Sequence, residues 1–338
     1  QKGVVLTHRN VTSHALATIA DLGLTDADVW LHAAPMFHLA DAWATWAVTW
    51  VGGRHVMAGR FDPEEVLETV VRERVTVTNL IPTMLNDLVN LPQADTLDYG
   101  SLRLLMSGGA PISPRLVQRI VETFRCEYVQ TYGLTETSPY LTFSLLKESL
   151  RGLSSERQMV YRSKTGRPAL GVEVRVVDEA GGDVPADGST VGEIVARGDR
   201  VTPGYWLLRD ATAEAFRNGW FHTGDLATID AEGYLDIVDR KKDVIITGGE
   251  LVYSTEVENA LYSHPAVHEA AVFAVPHGRL GEAVHAAVVV KAGSIVAPDD
   301  LVVHCRDCLA HYKCPRSVDL LEALPRTGSG KLAKRRLR

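Results

Sequence analysis

The sequence has few of the features that mark secreted, membrane-embedded and nucleic-acid-binding proteins. Only four of its 338 residues are cysteine, which argues against a disulfide-rich secreted protein and suits a reducing, cytoplasmic setting. No apolar run reaches the roughly 18 residues that a membrane-spanning helix requires, and no secretory leader is visible. We therefore expect a cytoplasmic protein without stable membrane insertion.

An excess of positive charge is also missing. The formal net charge is −7 at pH 7, so the sequence predicts no basic face for a nucleic-acid partner. The basic run at residues 331–336 is a local exception, and we interpret it as a solvated or phosphate-facing end. The chain length predicts two or more domains with ample core.

The first 150 residues alternate between strand and helix patterns, which predicts an α/β part with a parallel sheet covered by helices on both faces. At the start of the chain, residues 2–8 indicate a loop that leads into a strand, followed by a polar turn at Arg9-Asn10. The predicted strands are residues 29–34, 76–81 and 102–106. The predicted helices are residues 12–22 and 39–51, with two more that start at Asp62-Pro63 and at Pro82.

The pattern changes in the second half of the chain. Residues 147–163 are polar and aperiodic and predict a long surface connection. Period-two alternation then predicts an antiparallel, β-barrel-like part at residues 164–238. We place the boundary of the large domain at residue 241, so that residues 242–338 form a smaller C-terminal α+β domain joined by a hinge.

The chain is organised around the segment Gln130-Thr131-Tyr132-Gly133-Leu134-Thr135-Glu136-Thr137-Ser138, which is followed by Pro139. We predict a loop at a strand end, where Tyr132 holds a planar base and Gly133 admits a phosphate. Thr135 and Glu136 would then face a metal–phosphate pair, because magnesium prefers carboxylate and phosphate oxygens. Considered alone, the segment is more typical of a Thr-rich surface turn than of such a site.

Six further motifs accompany this segment in a fixed order, together with the tail of a phosphate loop at Lys2-Gly3-Val4. The motifs are Pro35-Met36-Phe37-His38, Gly108-Gly109-Ala110-Pro111, Gly204-Tyr205-Trp206, Thr223-Gly224-Asp225, Asp239-Arg240-Lys241-Lys242-Asp243 and Pro325-Arg326-Thr327-Gly328-Ser329-Gly330-Lys331. In this order and over the whole chain, the sequence resembles the adenylate-forming enzymes, and acyl-CoA synthetases of the fatty-acid-CoA ligase type in particular.

The resemblance implies a role for each matching residue. Catalytic roles fall to Lys331, Glu136, His38 and Thr135, with Glu136 as the magnesium ligand and Lys242 as the hinge. Nucleotide, phosphate and CoA contacts are implied for Gly108, Gly109, Ala110, Pro111, Gln130, Thr131, Tyr132, Gly133, Asp225, Ile237, Arg240, Lys2, Gly249 and Glu250. His38 would lie between the acyl carboxylate and the phosphate, while Asp225 and Arg240 would hold the ribose.

The implied activity is ATP-dependent activation of a hydrophobic or fatty carboxylic acid to acyl-AMP, followed by transfer to CoA. The implied cofactors are ATP, Mg²⁺ and CoA. Three alternatives stay open: a ligase that loads an acyl carrier protein, a luciferase-like oxygenase, and a catalytically silent protein that binds a nucleotide or acyl-AMP. The sequence leaves the oligomeric state open, including a homodimer.

Two departures from the family pattern accompany the resemblance. Gln1 stands where the family usually has proline, and Leu251 stands where it usually has asparagine. The chain opens within what resembles the phosphate loop, so we expect a further piece of the large domain upstream, and the chain as it stands lacks most of that loop.

One set of residues imitates a zinc site. Cys305, Cys308, His311 and Cys314 recur every three residues, and such a repeat is also typical of one face of a helix. Structural zinc sites usually take their ligands from separated elements, so we favour the helix.

Overall fold

The structure, a computed structural model, describes residues 2–110, 112–326 and 332–338. The predicted site residues Pro111 and Lys331 lie outside these ranges. The chain divides into two compact units, residues 1–223 with 228–236 and residues 224–227 with 237–338. Within the described ranges, no helix has the length and apolar composition needed to cross a bilayer.

The first unit contains a seven-stranded sheet with the order β2-β1-β3-β4-β5-β6-β7. Strands β1 to β5 pair in parallel, as predicted, whereas β6 and β7 add an antiparallel edge. The strands are β1 (Val29–His32), β2 (Arg54–Met57), β3 (Val77–Leu80), β4 (Leu104–Gly108), β5 (Glu127–Gly133), β6 (Tyr140–Phe143) and β7 (Arg167–Pro168).

Helices cover both faces of this sheet, as predicted. Neighbouring residues of β1 belong to different hydrophobic cores. Leu31 packs with helices α4, α5 and α6, while Trp30 packs with α1 and α3. This alternation is the two-residue period of a strand that is buried on both faces. The helices of the first unit are α1 (His8–Leu22), α2 (Leu39–Ala42), α3 (Ala44–Val51), α4 (Pro63–Arg72), α5 (Pro82–Val89), α6 (Pro114–Phe124), α7 (Ser155–Ser163) and α8 (Arg209–Ala215).

The start of the chain differs from the prediction. Val4 makes only an isolated bridge to Tyr205, and the polar pair Arg9-Asn10 lies in the first turn of α1 rather than in a turn of its own. The reason is a reciprocal cap, in which the Asn10 backbone N donates to Thr7 Oγ1 and the Thr7 backbone N donates to Asn10 Oδ1. The cap fixes the helix start four residues before the predicted one.

The prediction of a surface connection at residues 147–163 was also wrong in part, because residues 155–163 form α7. Ser154 caps this helix by accepting from the Arg157 backbone N. The helix attaches through the half-buried Arg162–Glu127 ion pair and through Tyr161, which packs on Tyr234. A helix held by such polar and aromatic contacts has no apolar stripe for sequence periodicity to reveal.

The predicted antiparallel β region is present after residue 172. Its sheet has the order β10-β11-β9-β8, and β12 also pairs with β11. The strands are β8 (Glu173–Val177), β9 (Gly192–Arg197), β10 (Phe216–Arg217), β11 (Trp220–Ile229) and β12 (Leu235–Arg240). Glycine is required at position 192, because a Cβ there would lie 2.5 Å from the Val177 carbonyl oxygen.

The second unit is α+β. Strands β15 and β16 form a long antiparallel hairpin, and β16 also pairs with β13 and, in parallel, with β17. Its helices and the hairpin share one apolar core that includes Val257, Val272 and Leu301. The elements are β13 (Ile245–Thr247), β14 (Glu250–Val252), α9 (Ser254–Tyr262), β15 (Val267–His277), β16 (Gly281–Val290), α10 (Pro298–Cys308) and β17 (Ser317–Leu320).

His14 on α1 gives the first unit a pH-dependent stability. It is 1% exposed, and burial and the nearby Arg200 charge lower its pKa well below the usual value. The neutral ring accepts a hydrogen bond from the Tyr140 backbone N at 3.3 Å. Below about pH 6.5 the unfolded chain binds a proton here that the folded chain excludes, so stability falls by up to about 1.4 kcal/mol per pH unit.

We therefore expect the free energy of unfolding of the full-length protein to contain a His14 contribution that is full above pH 6.5 and is lost as the pH falls. Urea titrations of the wild type and of His14→Gln from pH 5 to pH 8 measure it. The difference between the two proteins should shrink toward pH 5. Parallel curves over the whole range would contradict the assignment.

Candidate active site

The central segment is half strand and half loop. Residues 130–133 lie in β5, between β4 and β6, so the predicted loop begins only at Leu134. A short 3₁₀ turn then spans Thr135–Thr137. Glycine is required at position 133, since a Cβ there would meet the Pro139 carbonyl oxygen at 1.8 Å.

Glu136 is held on its backbone and on its side chain. The Thr202 backbone N donates to the Glu136 carbonyl oxygen at 2.7 Å. The Tyr205 hydroxyl donates to Glu136 Oε1 at 2.9 Å, and the Lys2 Nζ lies 4.5 Å from the centre of the Tyr205 ring. Burial and the Glu136 charge raise the pKa of Tyr205, so the hydroxyl keeps its proton. Tyr205 thus contacts both Glu136, the predicted metal ligand, and Lys2, the lysine predicted to face a phosphate.

Sequence reasoning gave Tyr205 no role of its own, although it stands in the quoted motif Gly204-Tyr205-Trp206. The contact with Glu136 joins residues 69 apart in the chain. The signal in the sequence was the tyrosine of that motif, because the hydroxyl of a buried tyrosine usually finds a hydrogen-bond partner.

Removing the Tyr205 hydroxyl should weaken the binding of magnesium. Tyr205→Phe keeps the ring beside Lys2 and deletes the donor to Glu136, and losing such a support for a metal ligand typically costs roughly 10- to 100-fold in metal affinity. We expect the Mg²⁺ concentration for half-maximal ATP binding by the full-length protein to rise accordingly. Calorimetry with MgATP measures this.

Tyr99→Phe is the matched control, because the Tyr99 hydroxyl is buried and has no hydrogen-bond partner among the described residues. The control should bind magnesium like the wild type. Equal magnesium dependence in Tyr205→Phe and in the control would show that the hydroxyl does not position Glu136.

The predicted adenine-binding residues lie on two adjacent strand ends. Gly108 ends β4 and pairs with Thr131 of β5. A Cβ at Gly108 would come within 2.2 Å of Thr131 Oγ1, so glycine allows these strands to pack. Gln130 Nε2 donates to the Ala110 carbonyl oxygen at 3.2 Å, and Gly109 and Ala110 are exposed.

Gln130 and Thr131 themselves are 6% and 2% exposed. Thr131 Oγ1 donates to the Ser107 carbonyl oxygen, and Gln130 Oε1 accepts from the Tyr128 hydroxyl. Their side chains therefore hold the two segments together. Contact of this surface with adenine remains a prediction.

His38 is half-buried and caps the short helix α2, where its Nδ1 accepts from the Ala40 backbone N at 3.3 Å. The predicted helix at residues 39–51 is in fact two helices, α2 and α3, which meet at Trp43. Asp41, the one charged residue of α2, is 0% exposed and faces the protein interior.

The predicted ribose residues are together in the second unit. Arg240 Nε lies 3.2 Å from Asp225 Oδ1, and the Lys241 backbone N donates to the Gly224 carbonyl oxygen. Asp225 is 5% exposed, whereas the Arg240 side chain is 54% exposed. Ile237 lies on the same strand as Arg240, β12. The pair presents a carboxylate and a guanidinium, which suits hydroxyl recognition.

The predicted CoA-side residues form a tight hairpin. Gly248 and Gly249, with φ of 61° and 90°, connect β13 to β14, and a two-residue turn of this kind requires positive φ at both positions. Gly249, Glu250 and Leu251 are exposed. Lys242, the predicted hinge, is exposed in the turn that precedes β13.

The cysteines near the end of the chain are divided between core and surface. Cys305 is buried and Cys308 is exposed, both on α10, while Cys314 is buried beyond the helix end. Burial raises the pKa of the Cys305 thiol to about 12, which disfavours the thiolate that binds zinc. Among the residues that the structure describes, no group of three or more His, Cys, Asp or Glu residues could hold a metal ion.

Two family descriptions match the chain. Residues 1–206 match "AMP-binding enzyme", and residues 256–331 match "AMP-binding enzyme C-terminal domain". Glu136 follows the carboxyl end of β5, and open α/β sheets bind their ligands at that edge. The chain belongs to the AMP-binding enzyme family.

Curated relatives are CoA ligases by name. The chain is 40% identical to a feruloyl-CoA synthase from Amycolatopsis sp. over 340 residues, which cover 100% of the chain and 66% of the relative. It is also 40% identical to a long-chain-fatty-acid–CoA ligase from Thermus thermophilus, covering 100% of the chain and 63% of that protein. The chain thus spans slightly less than two thirds of the length of these relatives.

Solved structures agree in fold. The o-succinylbenzoate CoA synthetase of Bacillus subtilis, in complex with its acyl-adenylate intermediate, superposes with a TM-score of 0.88 at 33% identity over 100% of this chain and 66% of that one. A second structure of that synthetase, with ATP and a magnesium ion, gives a TM-score of 0.86 at 33% identity over 98% and 66% of the two chains.

Proposed function

We propose that the full-length protein is an AMP-forming acid–CoA ligase. It activates a carboxylic acid with ATP and passes the acyl group to CoA. The observation that carries the proposal is the Glu136–Tyr205–Lys2 arrangement, a carboxylate and a lysine fixed beside the end of β5. The CoA ligases among the relatives, which match over the whole chain, support it.

In the first half-reaction, an oxygen of the acid forms a bond to the α-phosphorus of ATP, and the bond to pyrophosphate breaks. This chemistry depends on positioning and charge neutralisation more than on covalent catalysis. Lys2 and Lys331 would oppose the phosphate charge, and His38 would lie between the carboxylate and the phosphate. Tyr132 and residues 108–111 would hold the adenine.

The residues present fit magnesium. Glu136 is half-buried, with one oxygen accepting from Tyr205, and it stands next to the exposed hydroxyl residue Thr135. Carboxylate oxygen is the donor that magnesium prefers, with water completing its shell. When bound at Glu136, the ion would neutralise phosphate charge; Thr135 and Glu136 are the residues that would hold it.

In the second half-reaction, the CoA sulfur forms a bond to the acyl carbon, and AMP leaves with the electron pair of the broken acyl–oxygen bond. The thiol proton is lost as the thioester forms. Rotation of the second unit about Lys242 would carry Lys331 away from the acyl-AMP. The hairpin with Gly249 and Glu250 would then approach the acyl-AMP in its place. One scaffold would thereby serve two steps, as moving domains do in other enzymes.

For the acid we propose a hydrophobic molecule. The stretch from α2 to α3 is apolar and leaves Trp46 and Trp50 exposed by 44% and 51%. The relatives include ligases named for an aromatic acid and for long-chain fatty acids. Leu251, 52% exposed where the family usually has asparagine, favours testing a carrier protein as a second acceptor.

Oxygen labelling of the carboxylate tests the reaction. With the full-length protein, ATP, magnesium, CoA and a substrate acid that carries two ¹⁸O atoms, one label should appear in AMP and one in the acyl-CoA. Label in inorganic phosphate would instead indicate an acyl-phosphate route. Acyl-AMP that accumulates despite CoA would point to the carrier protein.

A further inference from the structure

A buried polar cluster lies beneath α2, in a place that no step of the proposed reaction uses. Asp41 is 0% exposed and His32 is 2% exposed. Trp30 Nε1 donates to Asp41 Oδ1 at 3.1 Å, and His32 Nδ1 lies 2.8 Å from Asp41 Oδ2. The chain of contacts continues to His55, whose Nδ1 lies 2.9 Å from His32 Nε2. The carboxylate thus ties α2 to two residues of β1.

A second set of hydrogen bonds holds α2 at Ala40, the residue before Asp41. The Ala40 carbonyl oxygen accepts from Asn79 Nδ2 at 2.7 Å, from the Tyr140 hydroxyl at 2.9 Å and from Trp43 Nε1 at 3.1 Å. Asn79 lies on β3 and Tyr140 on β6. Hence the four-residue helix is fixed to three strands of the sheet by side-chain hydrogen bonds.

This clamped helix carries His38 at its N-terminus. The His38 ring accepts from the Ala40 backbone N, so the orientation of the imidazole follows that of α2. Such a short helix has too few internal hydrogen bonds to hold its own position. Its orientation therefore depends on Asp41 and on the Ala40 carbonyl.

We infer that Asp41 is a positioning residue: through α2 it fixes the His38 imidazole for the acyl carboxylate. This inference rests on the proposed function. The carboxylate acts by geometry rather than by charge. An asparagine at position 41 can still accept from Trp30 with its oxygen and donate to His32 with its amide, because neutral histidine can move its ring proton to the other nitrogen.

Two variants and one control test the inference in the full-length protein. Asp41→Ala should raise the KM for the acid and lower kcat for acyl-AMP formation, together by roughly 10- to 100-fold in kcat/KM, because a small misplacement near the reacting atoms has that cost. The KM for ATP should not change. Asp41→Asn should restore most of the loss. The exposed Asp26→Ala should behave like the wild type.

A purely structural role would lower the active fraction and leave the KM for the acid unchanged, and a role for the charge would make Asp41→Asn as poor as Asp41→Ala. Either result overturns the inference. If Asp41→Ala does not fold, Tyr140→Phe removes one donor from the Ala40 carbonyl and should shift the same KM by a smaller factor.

An NMR readout is independent of activity. The ¹⁵N shift of His38 Nδ1, which accepts from the Ala40 backbone, should change in Asp41→Ala and be near the wild-type value in Asp41→Asn. An unchanged shift in Asp41→Ala overturns the inference even where the wild type forms acyl-AMP. Absence of acyl-AMP from the wild type, with the shift changed as expected, would instead refute the proposed function alone.

Discussion

Replacing Lys331 with alanine is expected to slow acyl-AMP formation by roughly 10²- to 10³-fold, because a preorganised group that stabilises developing charge contributes that much. The transfer of added acyl-AMP to CoA should be nearly unchanged. The two half-reactions differ because displacement at the phosphorus occurs only in the first, whereas the second takes place at the acyl carbon. Rapid-quench assays of each half-reaction with the full-length protein measure the two rates.

The control for this prediction is Arg335→Ala. It removes an exposed positive charge from the same basic run and should leave both half-reactions at the wild-type rate. Equal loss of both half-reactions in Lys331→Ala would contradict a role in adenylation alone. A loss in Arg335→Ala as large as in Lys331→Ala would show that total charge, rather than Lys331, matters.

The second large effect is expected at Glu136. Glu136→Gln keeps the shape of the side chain and an oxygen that can accept from Tyr205, but it removes the negative charge that a magnesium ligand supplies. We expect acyl-AMP formation to fall by roughly 10²-fold or more at a fixed magnesium concentration. Raising the magnesium concentration should recover part of the loss.

Glu148→Gln provides the comparison, because the Glu148 side chain is 92% exposed and pairs only with Arg151 among the described residues. It should retain wild-type activity at every magnesium concentration. A Glu136→Gln protein with the wild-type rate and magnesium dependence would remove Glu136 from the site.

Local signals in the sequence predicted much of the fold. Asp62 caps α4 by accepting from the Glu65 backbone N, with Pro63 at the first position, as the residue types indicate. The turn at Gly248-Gly249 also matches its residue types, because few other residues adopt positive φ twice in succession. Such features depend on a few adjacent residues, so one sequence is enough to predict them.

Other parts of the site depend on distant contacts. The interior orientation of Asp41 results from hydrogen bonds to Trp30 and His32 on another element, and an apolar run offers no periodicity from which to infer it. The Tyr205–Glu136 contact likewise exists only after β5 and the segment before α8 have folded together. The motifs identified the residues, and the packing of the chain determined which of them touch.

The most direct test of the proposed ligase is product analysis by mass spectrometry. The full-length protein is incubated with ATP, magnesium and a panel of acids that includes ferulic acid and long-chain fatty acids, with and without CoA. We predict acyl-AMP and pyrophosphate without CoA, and acyl-CoA with AMP when CoA is added, for at least one hydrophobic acid. ATP consumption that yields ADP, or that does not depend on any acid, would contradict the proposed function.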